Sequence, residues 1–106
     1  MPKFLFHGRF STESVKGIAE KGGTSRVEAV EKLTKSVGGK LESYYFALGD
    51  TDYYVVADLP DNKTAAAIAL TVGGGGALSN TTTVLMTPAE MDEAAKIKPV
   101  YRPPGA

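Results

Sequence analysis

The sequence predicts an α+β domain in which one antiparallel sheet of four strands carries its main helices on a single face. Three observations lead to this fold class. Residues 41–59 contain two apolar, aromatic-rich runs around a polar turn at residues 49–52, which is typical of a β-hairpin. A strand pattern and a helix pattern precede the hairpin, and a helix pattern and a strand pattern follow it. The length of 106 residues fits one domain with a modest core.

Before the hairpin, the spacing of the apolar residues changes once, from that of a strand to that of a helix. Residues 3–10 alternate apolar and polar side chains, as a strand with one buried face does. Residues 11–14 can cap a helix, and apolar residues then recur at helical spacing as far as Val37. Two glycines at 22–23 interrupt that helix, and a capping box that begins at Ser25 restarts it.

The part after the hairpin mirrors this order. Residues 64–72 predict an alanine-rich helix. The four glycines at 73–76 end this helix and begin a loop. Residues 79–87 are rich in β-branched side chains and predict the fourth strand. Thr87, Pro88 and Glu90 then open a short terminal helix that runs to about Lys96.

The resulting order β-α-β-β-α-β is that of the ferredoxin-like fold, with a C-terminal helix added. We expect one domain at residues 1–98. Residues 99–106 contain three prolines and predict an extended or disordered tail.

Composition excludes several kinds of function. Twelve basic and twelve acidic residues give no net charge, which argues against a nucleic-acid partner. The absence of cysteine excludes disulfides, thiolate nucleophiles and cysteine-ligated metals, and no acidic or histidine cluster has metal-ligand spacing. The longest apolar run is too short and interrupted to span a membrane. We therefore expect a soluble, cytoplasmic protein without a metal.

The two faces of the predicted sheet differ in what covers them. Strand alternation places Phe4, Phe6, Phe10, Val55, Ala57 and Leu59 under the helices. It places Leu5, His7, Arg9, Tyr44, Phe46, Tyr54, Val56 and Asp58 on the other face, unless a bulge exchanges Tyr44 and Tyr45. A face with this much apolar surface usually marks an interface or a ligand groove. We expect a homodimer that pairs these faces and encloses a cavity between the sheets.

The hairpin resembles that of the GYD domain family. The resemblance rests on residues 48–52, 53–57 and 59–61, and it extends to residues 16–18, 25–26, 37–40 and 81–83. It covers about residues 3–95. The family pattern has a tyrosine between its glycine and its aspartate, whereas Thr51 stands before Asp52 in this chain.

This resemblance implies a small bacterial or archaeal protein related to the dimeric α+β barrel proteins. That larger group is similar in fold but varied in activity. It includes cofactor-free monooxygenases, haem-binding enzymes, lactone isomerases and amino-acid-sensing modules, and fold does not choose among them.

Six residues are candidates for binding a ligand. His7, the only histidine, could act as a general base or as an axial haem ligand, or could simply be a half-exposed strand residue. Arg9 and Arg26 could bind a carboxylate or phosphate, or could be a solubilising edge charge and a helix residue that reaches the hairpin carboxylates.

The remaining candidates lie on the hairpin. Tyr44 and Tyr54 could line a pocket for a planar molecule or form cross-strand packing. Asp52 could act as an acid or a base, or could cap the hairpin turn.

Three function classes follow from these candidates. The first is a homodimeric module that binds or senses a small molecule in the inter-sheet cavity. The second is a monooxygenase-like or haem-binding enzyme that uses His7, and the third is an assembly protein that uses only its sheet face. Neutral charge and the absence of a catalytic constellation favour the first and third classes.

Overall fold

The computed structural model describes residues 1–74 and 79–105. Its elements in chain order are β1 (Lys3–Gly8), α1 (Thr12–Lys21), α2 (Gly23–Ser36), β2 (Lys40–Phe46), β3 (Tyr53–Asp58), α3 (Asn62–Gly74), β4 (Thr81–Leu85) and α4 (Pro88–Lys96). One four-stranded antiparallel sheet has the strand order β2-β3-β1-β4. The α+β, ferredoxin-like fold with a C-terminal helix is confirmed.

The core lies between the sheet and the helices α2 and α3. β1 and β3 are the two central strands and contribute Phe4, Phe6, Tyr53, Val55 and Ala57 to it. The helices contribute Val30, Ala65 and Ile68, and Leu59 follows β3. We call this the covered face of the sheet and the opposite side the open face.

The predicted interruption divides the first helix into two helices that meet at Gly22. The predicted capping box at Ser25 was wrong, because α2 begins at Gly23 and has no side-chain cap. Ser11 caps α1 by accepting a hydrogen bond from the Ser14 backbone N–H at 3.2 Å. Gly22 has φ +83°, a left-handed conformation that a side chain would disfavour. The chain therefore changes direction at Gly22, and α2 starts one residue later against the ring of Phe46.

A β-bulge in β2 corrects one prediction about the sheet faces. Leu41 pairs with Ala57 and Ser43 pairs with Val56, so Glu42 is an extra residue in the ladder. Because the extra residue shifts the alternation by one, Tyr44 lies opposite Val55 on the covered face. The placement of Tyr44 and Phe46 on the open face was therefore wrong, and Tyr45 lies there instead, opposite Tyr54.

The predicted elements differ from the observed ones mainly at their ends. β1 ends at Gly8 instead of residue 10, and α3 begins at Asn62, two residues before the predicted start. α3 extends to Gly74, so the first half of the glycine run is helical. The expected loop at the end of that run falls on residues 75–78, which lie outside the described residues. Within the described ranges, no helix has the length and apolar character needed to cross a membrane.

Candidate functional site

A cleft lies above the sheet where α2 and α3 stand apart. Its floor is the covered face of β1, β2 and β3, its walls are one face of each helix, and Asn80 closes one end. Most of its lining is aliphatic or aromatic. The lining residues are Phe6, Arg26, Val30, Leu33, Thr34, Tyr44, Tyr53, Val55, Ala57, Ile68, Val72 and Asn80.

Two polar groups of this cleft are buried without a well-aligned hydrogen bond. Nε of Arg26 and the hydroxyl of Tyr44 are both inaccessible to solvent, and neither makes a hydrogen bond of good geometry among the described residues. The Arg26 guanidinium is nevertheless close enough to the phenol to lower its pKa as a hydrogen-bond donor would. An unsatisfied buried donor costs about 1–3 kcal/mol, so such groups are rare unless water or a ligand completes them. The pair is therefore the strongest sign of a binding site in the described chain.

The charge of Arg26 acts on both tyrosines of the cleft. Burial raises the pKa of Tyr44, and the nearby Arg26 guanidinium offsets part of that rise. Burial, together with Tyr44, raises the pKa of Tyr53 to about 12, again against the effect of Arg26. Both phenols are therefore neutral donors at physiological pH, beside one permanent cation.

Tyr53 is already engaged, in contrast to Tyr44. Its hydroxyl donates a hydrogen bond to the Ser79 carbonyl at 2.6 Å. Asn80 Oδ1 lies 3.2 Å from the same hydroxyl. Tyr53 thus shapes the end of the cleft, and Tyr44 and Arg26 are the groups that remain available for a ligand.

The size of the cleft limits what it can hold. Its volume is about 40 Å³, enough for a few water molecules or a group as small as a carboxylate. Arg26 also lines a groove of about 270 Å³ between α1 and α2. Arg26 is the one lining residue that the cleft and this groove share.

The open face holds a separate group of predicted residues. His7 and Tyr54 lie opposite each other on β1 and β3, with their rings stacked at 5.8 Å between centroids. Among the described residues, no hydrogen bond to the His7 ring is present. Leu5 and Val56 are neighbours in the same ladder, so the centre of this face is apolar.

One end of the open face is charged. Lys3 Nζ donates to Asp58 at 2.9 Å and also to Glu42, the bulge residue. These two carboxylates raise the pKa of Lys3. The three side chains form an ion-pair cluster beside the apolar centre.

The last two candidates lie at the hairpin end of the sheet. Asp52 Oδ2 accepts a hydrogen bond from the Phe10 backbone N–H at 2.9 Å, and the Asp52 backbone N–H donates to Gly8. Asp52 thus ties the hairpin turn to the end of β1. Arg9 is exposed, and its guanidinium reaches the Asp50 carbonyl at 3.4 Å.

The structure distributes the six candidate residues over three places. Arg26 and Tyr44 meet in the cleft, His7 and Tyr54 stack on the open face, and Arg9 and Asp52 lie at the hairpin end. The sequence did not reveal that Arg26 faces Tyr44, because the bulge that turns Tyr44 inward has no local signal. In the described chain, no group of three or more acidic or histidine side chains could hold a metal ion.

Comparison with known proteins identifies the family. The model of the GYD domain matches residues 4–95. The chain belongs to the GYD domain family. No curated protein and no solved structure matches this GYD domain protein. Family membership thus agrees with the resemblance of the hairpin and adds no substrate or reaction.

Proposed function

We propose that this GYD domain protein is a homodimeric module that binds a small carboxylic acid. In this proposal the open faces of two copies pack together, and each copy binds its ligand in the cleft between its sheet and its helices. The acid group accepts hydrogen bonds from Arg26 and Tyr44, and the apolar part of the ligand lies against the aliphatic lining.

The observation that carries this proposal is the pair of buried polar groups in the cleft that lack a well-aligned hydrogen bond. A carboxylate offers two acceptor oxygens, and a guanidinium and a neutral phenol are its natural donors. An apolar lining with a few converging polar groups is also the usual character of a small-molecule site. The limited volume favours short acids, such as acetate or propionate, or a longer acid that extends along the groove at Arg26.

The space between two paired sheets is a second candidate place for the ligand. The stacked rings of His7 and Tyr54 favour it, because they offer an aromatic surface and one titratable nitrogen. The same apolar centre also suits direct packing of one sheet on the other, with no ligand between them. The experiment below therefore examines both places.

The test is an NMR titration of the ¹⁵N-labelled protein with propionate, using propionamide as the uncharged control. We expect propionate to shift the amide signals of the cleft, around residues 26, 44 and 53, and propionamide to leave them in place. Arg26→Gln and Tyr44→Phe should each weaken binding at least tenfold, since each removes one donor to a charged group.

Matched variants on the open face complete the test. His7→Gln and Tyr54→Phe should leave propionate binding within about twofold of the wild type. Loss of binding in these two variants, with binding retained in Arg26→Gln, would move the site to the inter-sheet space. Equal shifts with propionate and propionamide, or none with either, would contradict a carboxylate site.

A further inference from the structure

The last 20 described residues form an arm that contributes no residue to the core. We define the arm as residues 86–105, which comprise α4 and the chain that follows it. None of the nine residues of α4, all of them described, is buried. The apolar side chains after the helix are open to solvent as well, with Ile97 at 69% and Tyr101 at 74% exposure.

The shape of the whole chain reflects this arm. The radius of gyration is 17.0 Å, whereas a compact domain of this length has about 13 Å. The longest dimension is 59 Å against 32 and 23 Å for the other two. An exposed segment at the end of the chain agrees with this elongated shape.

The exposed surface is larger than that of a compact monomer of the same mass. The accessible area is 7317 Å², whereas a folded monomer of 11.1 kDa exposes about 5,700 Å². The excess is about 1,600 Å². A standard interface buries about 800 Å² on each partner, and obligate homodimers bury more. The excess thus corresponds to one half of a large homodimer interface.

We propose that the arm of each copy docks on the sheet of a second copy of this chain. The inference rests on the proposed homodimer and adds which segment crosses between the copies. Leu85 pairs with Lys3, so the arm leaves the sheet at the border of the open face. A two-fold pairing of open faces brings that border of one copy next to the sheet of the other.

The length of the arm suits this position. Nine helical residues span about 14 Å. The nine residues 97–105 reach about 28 Å if extended as proline-rich segments are. Four strands about 4.8 Å apart make a sheet less than 20 Å wide, so the arm is long enough to follow the rim of a partner's sheet from one edge strand to the other while the open faces stay paired. Because the chain has no net charge, two copies do not repel each other through a shared excess charge.

The test uses a spin label on the arm of one copy and NMR signals from the other. The chain has no cysteine, so Tyr101→Cys provides a single labelling position. Labelled protein at natural isotope abundance is mixed with ¹⁵N-labelled wild-type protein. We expect the label to broaden the NMR signals of backbone amides in the sheet of the ¹⁵N-labelled copy. Only a label on the other copy can cause this broadening. A label at Thr24→Cys, on the exposed start of α2, should leave those amides sharp.

A pair of variants measures how much the arm contributes to the affinity of the dimer. Ile97→Asp should raise the dimer dissociation constant at least tenfold, because an apolar side chain loses its buried position. Lys98→Ala lowers the net charge by the same amount as Ile97→Asp. It should change the dimer dissociation constant less than twofold. Because the side chains of Ile97 and Lys98 are exposed in their own chain, neither variant should unfold the domain.

The outcomes separate the arm from the dimer. Broadening between copies, together with a weakened Ile97→Asp dimer, supports arm exchange. A dimer in sedimentation that shows no broadening between copies overturns arm exchange and leaves the homodimer intact. A monomer at all concentrations overturns both.

Discussion

At the scale of single residues, the contact between Gly8 and Ser79 shows how little space the end of β1 allows. A Cβ at Gly8 would lie 2.1 Å from the Ser79 carbonyl oxygen, the atom that accepts the Tyr53 hydrogen bond. Because that oxygen belongs to the backbone, a side chain at residue 8 must displace the strand itself. Gly17, on α1, has no atom within 4 Å of the same position and is a matched control.

The first prediction concerns these two glycines. Gly8→Ala should lower the free energy of unfolding by about 2–3 kcal/mol, since it inserts a methyl group into occupied space. Gly17→Ala should raise it by about 0.5–1 kcal/mol, because alanine is the better helix former. Urea unfolding followed by circular dichroism measures both values. Equal effects of the two substitutions would contradict the close approach at Gly8.

The second prediction concerns Tyr53 and alkaline pH. Because burial raises its pKa to about 12 in the folded state, the unfolded chain releases this proton at lower pH than the folded one. The contribution to stability is complete below pH 10 and is lost as the pH rises from 10 to 12. The melting temperature should therefore fall more steeply in this range for the wild type than for Tyr53→Phe. Parallel curves for the two proteins would exclude a raised pKa at Tyr53.

At the scale of elements, the bulge at Glu42 decides where the tyrosines of the hairpin point. Simple alternation from Leu41 places Tyr44 on the open face, and the extra residue reverses this. The hairpin itself was predictable, because both strands have a strong pattern and a glycine-containing turn between them. The bulge was not, since no residue of the run marks it and only the pairing of β2 with β3 shows it.

The third prediction concerns α4, whose helical structure is stabilised by its N-terminal cap. Thr87 accepts a hydrogen bond from the Glu90 backbone at 3.1 Å, and Glu90 accepts one from the Thr87 backbone at 3.0 Å. Thr87→Ala should cost about 1 kcal/mol of helix stability. Amide exchange in α4 should become about fivefold faster, and exchange in β1 and β3 should stay the same. Lys98→Ala, just past the helix, should change neither rate. Slower or unchanged exchange in α4 of Thr87→Ala would show that packing, instead of the cap, holds this helix.

At the scale of the whole molecule, the open face and the arm both leave apolar surface in water. No helix of the described chain contributes to the core from the open face, and no residue of α4 is buried. One partner copy would cover both surfaces, as the proposed homodimer requires. Sheet pairing and arm docking are nevertheless separable, because they use different residues.

The fourth prediction concerns sheet pairing. Val56→Glu places a charge at the centre of the open face, so it should turn a sedimenting dimer into a folded monomer. Its side chain is half-buried on that face and does not belong to the core, and the secondary structure should therefore be retained. Lys35→Glu, on an exposed position of α2, should remain dimeric. A Val56→Glu dimer as tight as the wild type would exclude pairing through the open face.

The sequence by itself determined the fold class, the order of elements and the family, because periodicity, helix caps and turn residues are local signals. Membership of the GYD domain family is shown by the family model that matches residues 4–95. The tertiary structure alone decided which predicted residues meet. Arg26 and Tyr44 are 18 positions apart in sequence and share a cleft only because a bulge turns one strand and Gly22 redirects one helix. The exposure of α4 was likewise beyond the sequence, since the helix has an ordinary amphipathic pattern and only its position in space keeps all nine of its residues out of the core.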